Sequence, residues 1–378
     1  MRKYRLMAPG PTPVPEKVLL RMADTVIHHR TPQFKALLKR VHDKLKKVVR
    51  TDNPVVIFSA SGTGAMEASV INMLSAGDKA LVIKGGKFGE RFADICESYG
   101  VEVVPYELEW GQSADAEVIK EKLRDEPGIK AVYATLCETS TGVVNDIEAI
   151  GKVVSPTEAV LVVDAISGLT AEEFRPDECG VDLVVAGSQK GLMLPPGLAF
   201  LSVSAKARKM MESSELPKYY FDLKAALKSY EGDTTPWTTA VSLVNGLEEV
   251  LDMMLSEGLD NVLKRHAHLA KATREAVKAI GLELFSKSPA NTLTAVKVPE
   301  GVDGKELVRK MRDEQMMTIA GGQAHLKGKI FRLAHLGYMD TYDTISAIAA
   351  IEMVLQQLGY SLDMGKGVAK AQEILING

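Results

Sequence analysis

Seven short apolar runs alternate with stretches of helical periodicity through the first half of the chain, and no other feature limits the fold so strongly. The runs occupy residues 55–58, 80–83, 101–104, 131–134, 159–163, 183–186 and 198–201. Several are apolar at almost every position, so both of their faces must be covered. Strands of that kind separated by helices form a mostly parallel sheet with helices packed on either side. In such sheets ligands bind beyond the carboxyl ends of the strands, so the residues that follow each run are the ones to read for chemistry.

Two of those ends carry complementary groups. The run 159–163 closes on Asp164, and the run 183–186 leads into Gly187-Ser188-Gln189-Lys190-Gly191. An acid and an amine that close two such runs suit pyridoxal phosphate. Its aldehyde needs a lysine to hold it as a Schiff base, and its pyridine nitrogen needs a carboxylate to stay protonated while the ring draws electrons. Singly, a solvated loop lysine and a helix-capping Asp explain either residue.

Other strand ends add to the set. Ser59-Ala60-Ser61-Gly62-Thr63-Gly64 opens a helical pattern, and a glycine-rich helix start offers free amides and a positive dipole end to a phosphate. It lacks the lysine of a Walker loop, and a structural helix start explains it equally. Gly85-Gly86-Lys87-Phe88-Gly89-Glu90-Arg91 puts a ring on a glycine-flanked loop, where it is either a stacking surface or ordinary core. Glu138-Thr139-Ser140-Thr141-Gly142 offers hydroxyls, or simply turn chemistry.

The remaining chain divides around this sheet. Ala8-Pro9-Gly10-Pro11-Thr12-Pro13-Val14-Pro15 has too many prolines for a helix or a central strand and is expected to run extended, as an arm over 1–15. A large domain over 16–258 begins with helices at 16–22 and 33–49 and ends in a linking helix from about Thr238. A smaller α/β domain over 259–378 is expected to hold strands near 282–285, 292–298, Met317 and 330–334, with helices from 259, 304 and 341, the last running to Leu358. In it Arg332 stands in an alternating strand, and an arginine fork binds a carboxylate through two parallel bonds. The adjacent pair His28-His29 has no evident third ligand, and neighbouring side chains are expected to point apart, so no metal site is expected.

Composition narrows the class. A formal charge of −3 gives no reason to expect nucleic acid or an acidic membrane as partner. The three cysteines, Cys96, Cys137 and Cys179, have no metal or disulfide spacing and point to a reducing compartment. With no apolar leader at Met1-Arg2-Lys3-Tyr4, the expectation is a cytoplasmic protein.

Taken in order, Ser61-Gly62-Thr63-Gly64-Ala65, Phe88-Gly89-Glu90-Arg91, Glu138-Thr139-Ser140-Thr141-Gly142, Val163-Asp164-Ala165 and Gly187-Ser188-Gln189-Lys190 resemble the motifs of the class V, fold-type I pyridoxal phosphate aminotransferases. The similarity is to the alanine:glyoxylate and serine:pyruvate branch and runs from Pro9-Gly10-Pro11 to the final helix. It implies that Lys190 is the Schiff-base lysine and Asp164 the partner of the pyridine nitrogen. By the same resemblance Ser61, Gly62, Thr63 and Gln189 bind the phosphate or its surroundings, Phe88 stacks on the ring, and Thr139 lies near the ring hydroxyl. Arg332, with Gly10 nearby, takes the substrate carboxylate. Many relatives have tryptophan where Phe88 stands and serine where Thr139 stands. The family is a homodimer, and Thr238, in Thr234-Thr235-Pro236-Trp237-Thr238, is the residue expected to reach the neighbouring subunit's phosphate.

The implied reaction moves an amino group from a small amino acid of the alanine or serine type to a 2-oxo acid of the glyoxylate or pyruvate type, with ping-pong kinetics. A cysteine desulfurase needs a nucleophilic cysteine late in the chain, and none follows Cys179. A lyase, a phosphonate-type transaminase, or a noncatalytic subunit that kept the fold remain as alternatives.

Overall fold

The alternation of apolar runs becomes one seven-stranded sheet in the computed structural model, which describes residues 3–376. Across the sheet the strands run Val55–Phe58, Ala199–Val203, Leu183–Gly187, Val160–Asp164, Ile129–Thr135, Lys79–Lys84 and Glu102–Glu107. All are mutually parallel except Ala199–Val203, which is antiparallel to both neighbours. The strand expected at 101–104 starts one residue later and continues to Glu107.

Residue alternation along each strand builds two cores. Leu161 and Val163 face one side with Val132, Ala134, Val184 and Ala186, against helices Pro32–Val49, Ile147–Val154 and Val241–Glu257. Val160 and Val162 face the other side with Ala131, Tyr133, Leu183 and Val185, against Gly62–Met73 and Lys87–Ser98. Every residue of Val160–Asp164 is buried, so truncating Leu161 to Ala would cost about 2–5 kcal/mol.

The linking helix begins at Val241 and breaks at Gly258, whose φ of 85° suits glycine; a second helix, Leu259–Ala279, follows. Beyond it, Leu293–Lys297, Ile330–Ala334 and Ala320–Gly321 form an antiparallel sheet. The strand expected at 282–285 shrinks to a single bridge, Leu284 to Val296, because the chain leaves the sheet to pair with Val143 and Val144 through Pro289 and Ser288. A helix not expected from the sequence, Lys366–Ile376, packs on Leu259–Ala279 through the buried Gly367 and Ala371. A Cβ on Gly367 would lie 3.1 Å from the Ala276 carbonyl oxygen. The rings of His28 and His29, expected to point apart, lie 4.6 Å from each other.

The proline-rich arm is stitched to both parts of the chain. Arg5–Leu6 pairs in parallel with Met317–Thr318, and the Ala334 amide donates to the Met7 carbonyl. Farther along, the Thr12 amide donates to the Gln189 carbonyl and its hydroxyl to the Lys190 carbonyl. Met1, Arg2, Asn377 and Gly378, which fall in the expected arm and smaller domain, lie outside the described residues.

Candidate active site

Parallel polarity sends five strand ends to one edge. Phe58 leads into Ser59-Ala60-Ser61, Lys84 into Gly85-Gly86, Thr135 into Leu136-Cys137-Glu138, Asp164 ends its own strand, and Gly187 stands three residues before Lys190.

Lys190 is 8% exposed, and its Nζ donates to the Pro9 carbonyl oxygen. Burial lowers its amine to about 8; the Asp164 carboxylate opposes the shift, while the Arg332 and Arg91 guanidiniums add to it. Asp164 is 4% exposed, and among the described residues its carboxylate accepts one hydrogen bond, from the Ile166 amide at 2.8 Å. Burial raises it to about 7, with the Ile166 bond opposing and the Glu138 carboxylate adding.

Two glycines leave room at this edge. A Cβ on Gly10, whose φ is 139°, would lie 2.5 Å from Lys190 Cε, and one on Gly62 would lie 2.4 Å from Ile166 Cδ1. Ser61 precedes helix Gly62–Met73 but does not cap it with its side chain, so its hydroxyl is left at the mouth of the turn. Thr63 Oγ1 accepts from Arg91 Nη1 at 3.2 Å, and the Arg91 guanidinium lies 4.8 Å from the centre of the half-buried Phe88 ring. The side-chain oxygen of Gln189 is buried with no hydrogen-bond partner among the described residues.

Arg332 comes from the C-terminal sheet and is 5% exposed. Its Nε and Nη2 donate to the Gly321 carbonyl and its Nη1 to the Thr139 carbonyl. Those bonds use three of the five N–H groups of a guanidinium and leave one on each terminal nitrogen. Burial lowers its pKa to about 10. The Thr139 hydroxyl is shared with Ser167. Thr238 stands apart from this group: it is exposed, while its neighbour Thr239 bonds Ser59 on the chain's own turn.

The model for aminotransferase class V matches residues 5–336. The chain belongs to that family. It is therefore a pyridoxal phosphate-dependent aminotransferase of fold type I, in the branch that holds the glyoxylate aminotransferases. It is 44% identical to the soluble hydrogenase small subunit of Synechococcus sp. over 99% of this chain and 98% of that protein. It is 38% identical to the L-aspartate–glyoxylate aminotransferase of Paracoccus denitrificans over 97% and 95%. The crystal structure of pyridoxamine–pyruvate aminotransferase from Mesorhizobium loti matches with a TM-score of 0.95 at 30% identity, covering 100% of this chain and 98% of that one.

The edge of this aminotransferase fits the cofactor. A buried amine of lowered basicity, a buried carboxyl that a cation would stabilise and a glycine-opened helix start are groups it needs, and the half-buried Gln189 side chain, whose amide NH2 can donate to a phosphate, adds a fourth. Sequence reasoning missed three contributors. Arg91 ties the Phe88 ring to Thr63, the Pro9 carbonyl holds the Lys190 amine, and Glu138, read only as part of a hydroxyl-bearing stretch, is a buried carboxylate.

Proposed function

We propose that this aminotransferase moves the amino group of a small amino acid, of the alanine or serine type, to a small 2-oxo acid such as glyoxylate or pyruvate, by ping-pong kinetics. The observation that carries the reading is the convergence of the buried Lys190 amine, the buried Asp164 carboxyl and the Arg332 fork at one sheet edge. When bound, pyridoxal 5'-phosphate supplies an electron sink for the carbon that loses its proton. Lys190 would hold the aldehyde carbon and, once displaced by substrate, carry the proton. Asp164 would face the pyridine nitrogen and keep its proton in place. The amides at Gly62 and Thr63, with the Ser61 hydroxyl and Gln189, would hold the phosphate, and Phe88 would stack on the ring. The two free N–H groups of Arg332 would take the substrate carboxylate beside Gly10. Thr139, at the same edge, would lie near the ring hydroxyl.

The aspartate–glyoxylate and serine–glyoxylate relatives support glyoxylate as an acceptor. A homodimer belongs to the same reading. Thr238 is exposed beside an aromatic patch in which Trp237 stacks on Tyr219 at 4.8 Å, and a second subunit's phosphate would lie against it. The break at Gly258 supports a division into an arm (1–15), a cofactor domain (16–258) and a smaller domain (259–378). A cytoplasmic location accords with the three unpaired cysteines, and no helix among the described residues is long and apolar enough to cross a membrane.

The Synechococcus relative's name favours a second reading, a noncatalytic subunit of an electron-transfer assembly. Retention of Lys190 and Asp164 in a buried, pKa-shifted pair supports the catalytic one. Initial rates with serine, alanine or aspartate against glyoxylate or pyruvate test it. Parallel double-reciprocal lines are expected for at least one pair, and converging lines would contradict the two-stage scheme.

A further inference from the structure

Glu138 is 1% exposed and accepts four hydrogen bonds. Its Oε2 takes the amides of Phe88 and Gly89, each at 3.1 Å, and its Oε1 takes the amide and hydroxyl of Ser140. The Ser140 hydroxyl in turn accepts from the Lys87 amide at 3.0 Å. Lys87, Phe88 and Gly89 open the helix Lys87–Ser98, so Glu138 and Ser140 together satisfy its first three amides.

A cap normally comes from the residue before the helix. Here that residue is Gly86, which has no side chain to offer, and the cap arrives from a strand end fifty positions away. Gly86 has to be glycine: a Cβ would lie 2.5 Å from Glu138 Cδ and 2.3 Å from Ser140 Oγ. A carboxylate at a helix N-terminus is favoured by the dipole, and a buried one must have its lone pairs engaged, as these are.

We propose that Glu138 is a positioning residue for the cofactor ring: it fixes the first turn of Lys87–Ser98, and through it the ring of Phe88, at the edge shared by Lys190 and Asp164. The inference rests on the reading of Phe88 as the stacking residue. Two contacts extend the clamp. Arg91, on the same turn, lies against the Phe88 ring and donates to Thr63. Thr139, between the two clamping residues, gives its carbonyl to Arg332. The rest of the helix keeps its own core contacts through Phe92 and Cys96, so losing the carboxylate frees the ring before it unfolds the helix.

The test is a double-mutant cycle on the full-length protein stripped of cofactor and titrated with pyridoxal 5'-phosphate, read by the visible band and its induced circular dichroism. A glutamine offers one acceptor oxygen where two pairs of donors point, so E138Q is expected to weaken cofactor affinity about tenfold. F88A should do the same, and both should shrink the induced dichroism. In E138Q/F88A the affinity should fall no further than about threefold below F88A alone, because Glu138 acts through that ring. Wild-type affinity in E138Q, or losses that multiply in the double variant, would overturn the proposal. If E138Q fails to fold, S140A removes the hydroxyl that serves both Glu138 and Lys87 and runs the same cycle with the same two outcomes. Wild-type affinity in F88A would refute the stacking reading instead, and absence of a visible band in the parent protein would refute the Lys190 reading.

Discussion

The Nζ of Lys190 donates to the backbone carbonyl of Pro9, 181 positions away in the chain. The arm that supplies that carbonyl also places Gly10 against the Lys190 side chain, where a Cβ would come within 2.5 Å of Cε. G10A is therefore expected to slow covalent capture of pyridoxal 5'-phosphate by about 5- to 150-fold, as a steric insult to a buried site of about 1–3 kcal/mol would. Stopped-flow absorbance of the cofactor-free protein measures it, and unchanged capture would show that the arm does not set the position of the amine.

Only the neutral amine attacks an aldehyde, and burial lowers Lys190 to about 8. The capture rate should rise with pH and reach half its maximum near 8. A midpoint near the ordinary lysine value would mean that the amine is solvated in the working protein.

Asp164 is expected to act on chemistry more than on binding. D164N keeps the shape and one acceptor oxygen for the Ile166 amide but loses the charge that would hold the pyridine proton. Turnover should fall by about 10²–10⁴ while the cofactor still binds. Comparable turnover in D164N would remove Asp164 from the mechanism.

At Arg332 the two remaining N–H groups would form the fork that takes the substrate carboxylate. R332K keeps a charge but loses the pair, so KM for both donor and acceptor should rise by about 10- to 100-fold, with a smaller change in kcat. An effect on kcat alone would assign Arg332 to holding Thr139 and Gly321 and not to substrate.

Buried histidine contributes to the loss of stability in acid. His335 bonds the Asn291 carbonyl through Nδ1 and Thr294 Oγ1 through Nε2, and burial, with Arg274 nearby, lowers it to about 3. The folded value lies below the unfolded one of 6.5, so the unfolded chain takes up the proton first. Its stabilisation is present in full above pH 6.5 and is lost as pH falls toward 3. His266, lowered to about 4, acts in the same direction. H335N should be less stable than the parent at pH 8, and the gap should narrow by pH 5 in thermal melts; a constant gap would mean that His335 does not titrate on unfolding.

The sheet was legible because its signal is local. Residues 160–164 are apolar up to the acid, and burial on both faces follows from that run alone. The placement of Lys190 and Asp164 at one sheet edge was legible for the same reason, since each stands at or just past the end of such a run. Glu138 was not, because its donors come from Phe88 and Gly89, and nothing in the local pattern ties the two stretches together. Helix Lys366–Ile376 was missed although Val368, Ala371 and Leu375 lie at helical spacing; its fully buried contacts are the small Gly367 and Ala371, and the larger pair is only partly buried. The strand near Leu284 was overread because only Leu284 bridges to Val296, after which Ser288 and Pro289 pair with Val144 and Val143 instead.

The most direct measurement of transamination at Lys190 is the visible spectrum of the protein loaded with pyridoxal 5'-phosphate, recorded before and after single amino acids are added without any 2-oxo acid. At least one of alanine, serine or aspartate is expected to shift the lysine-bound band to that of pyridoxamine phosphate and release one 2-oxo acid per site, with K190A inert. A band that no amino acid converts, or normal turnover in K190A, would contradict the assignment.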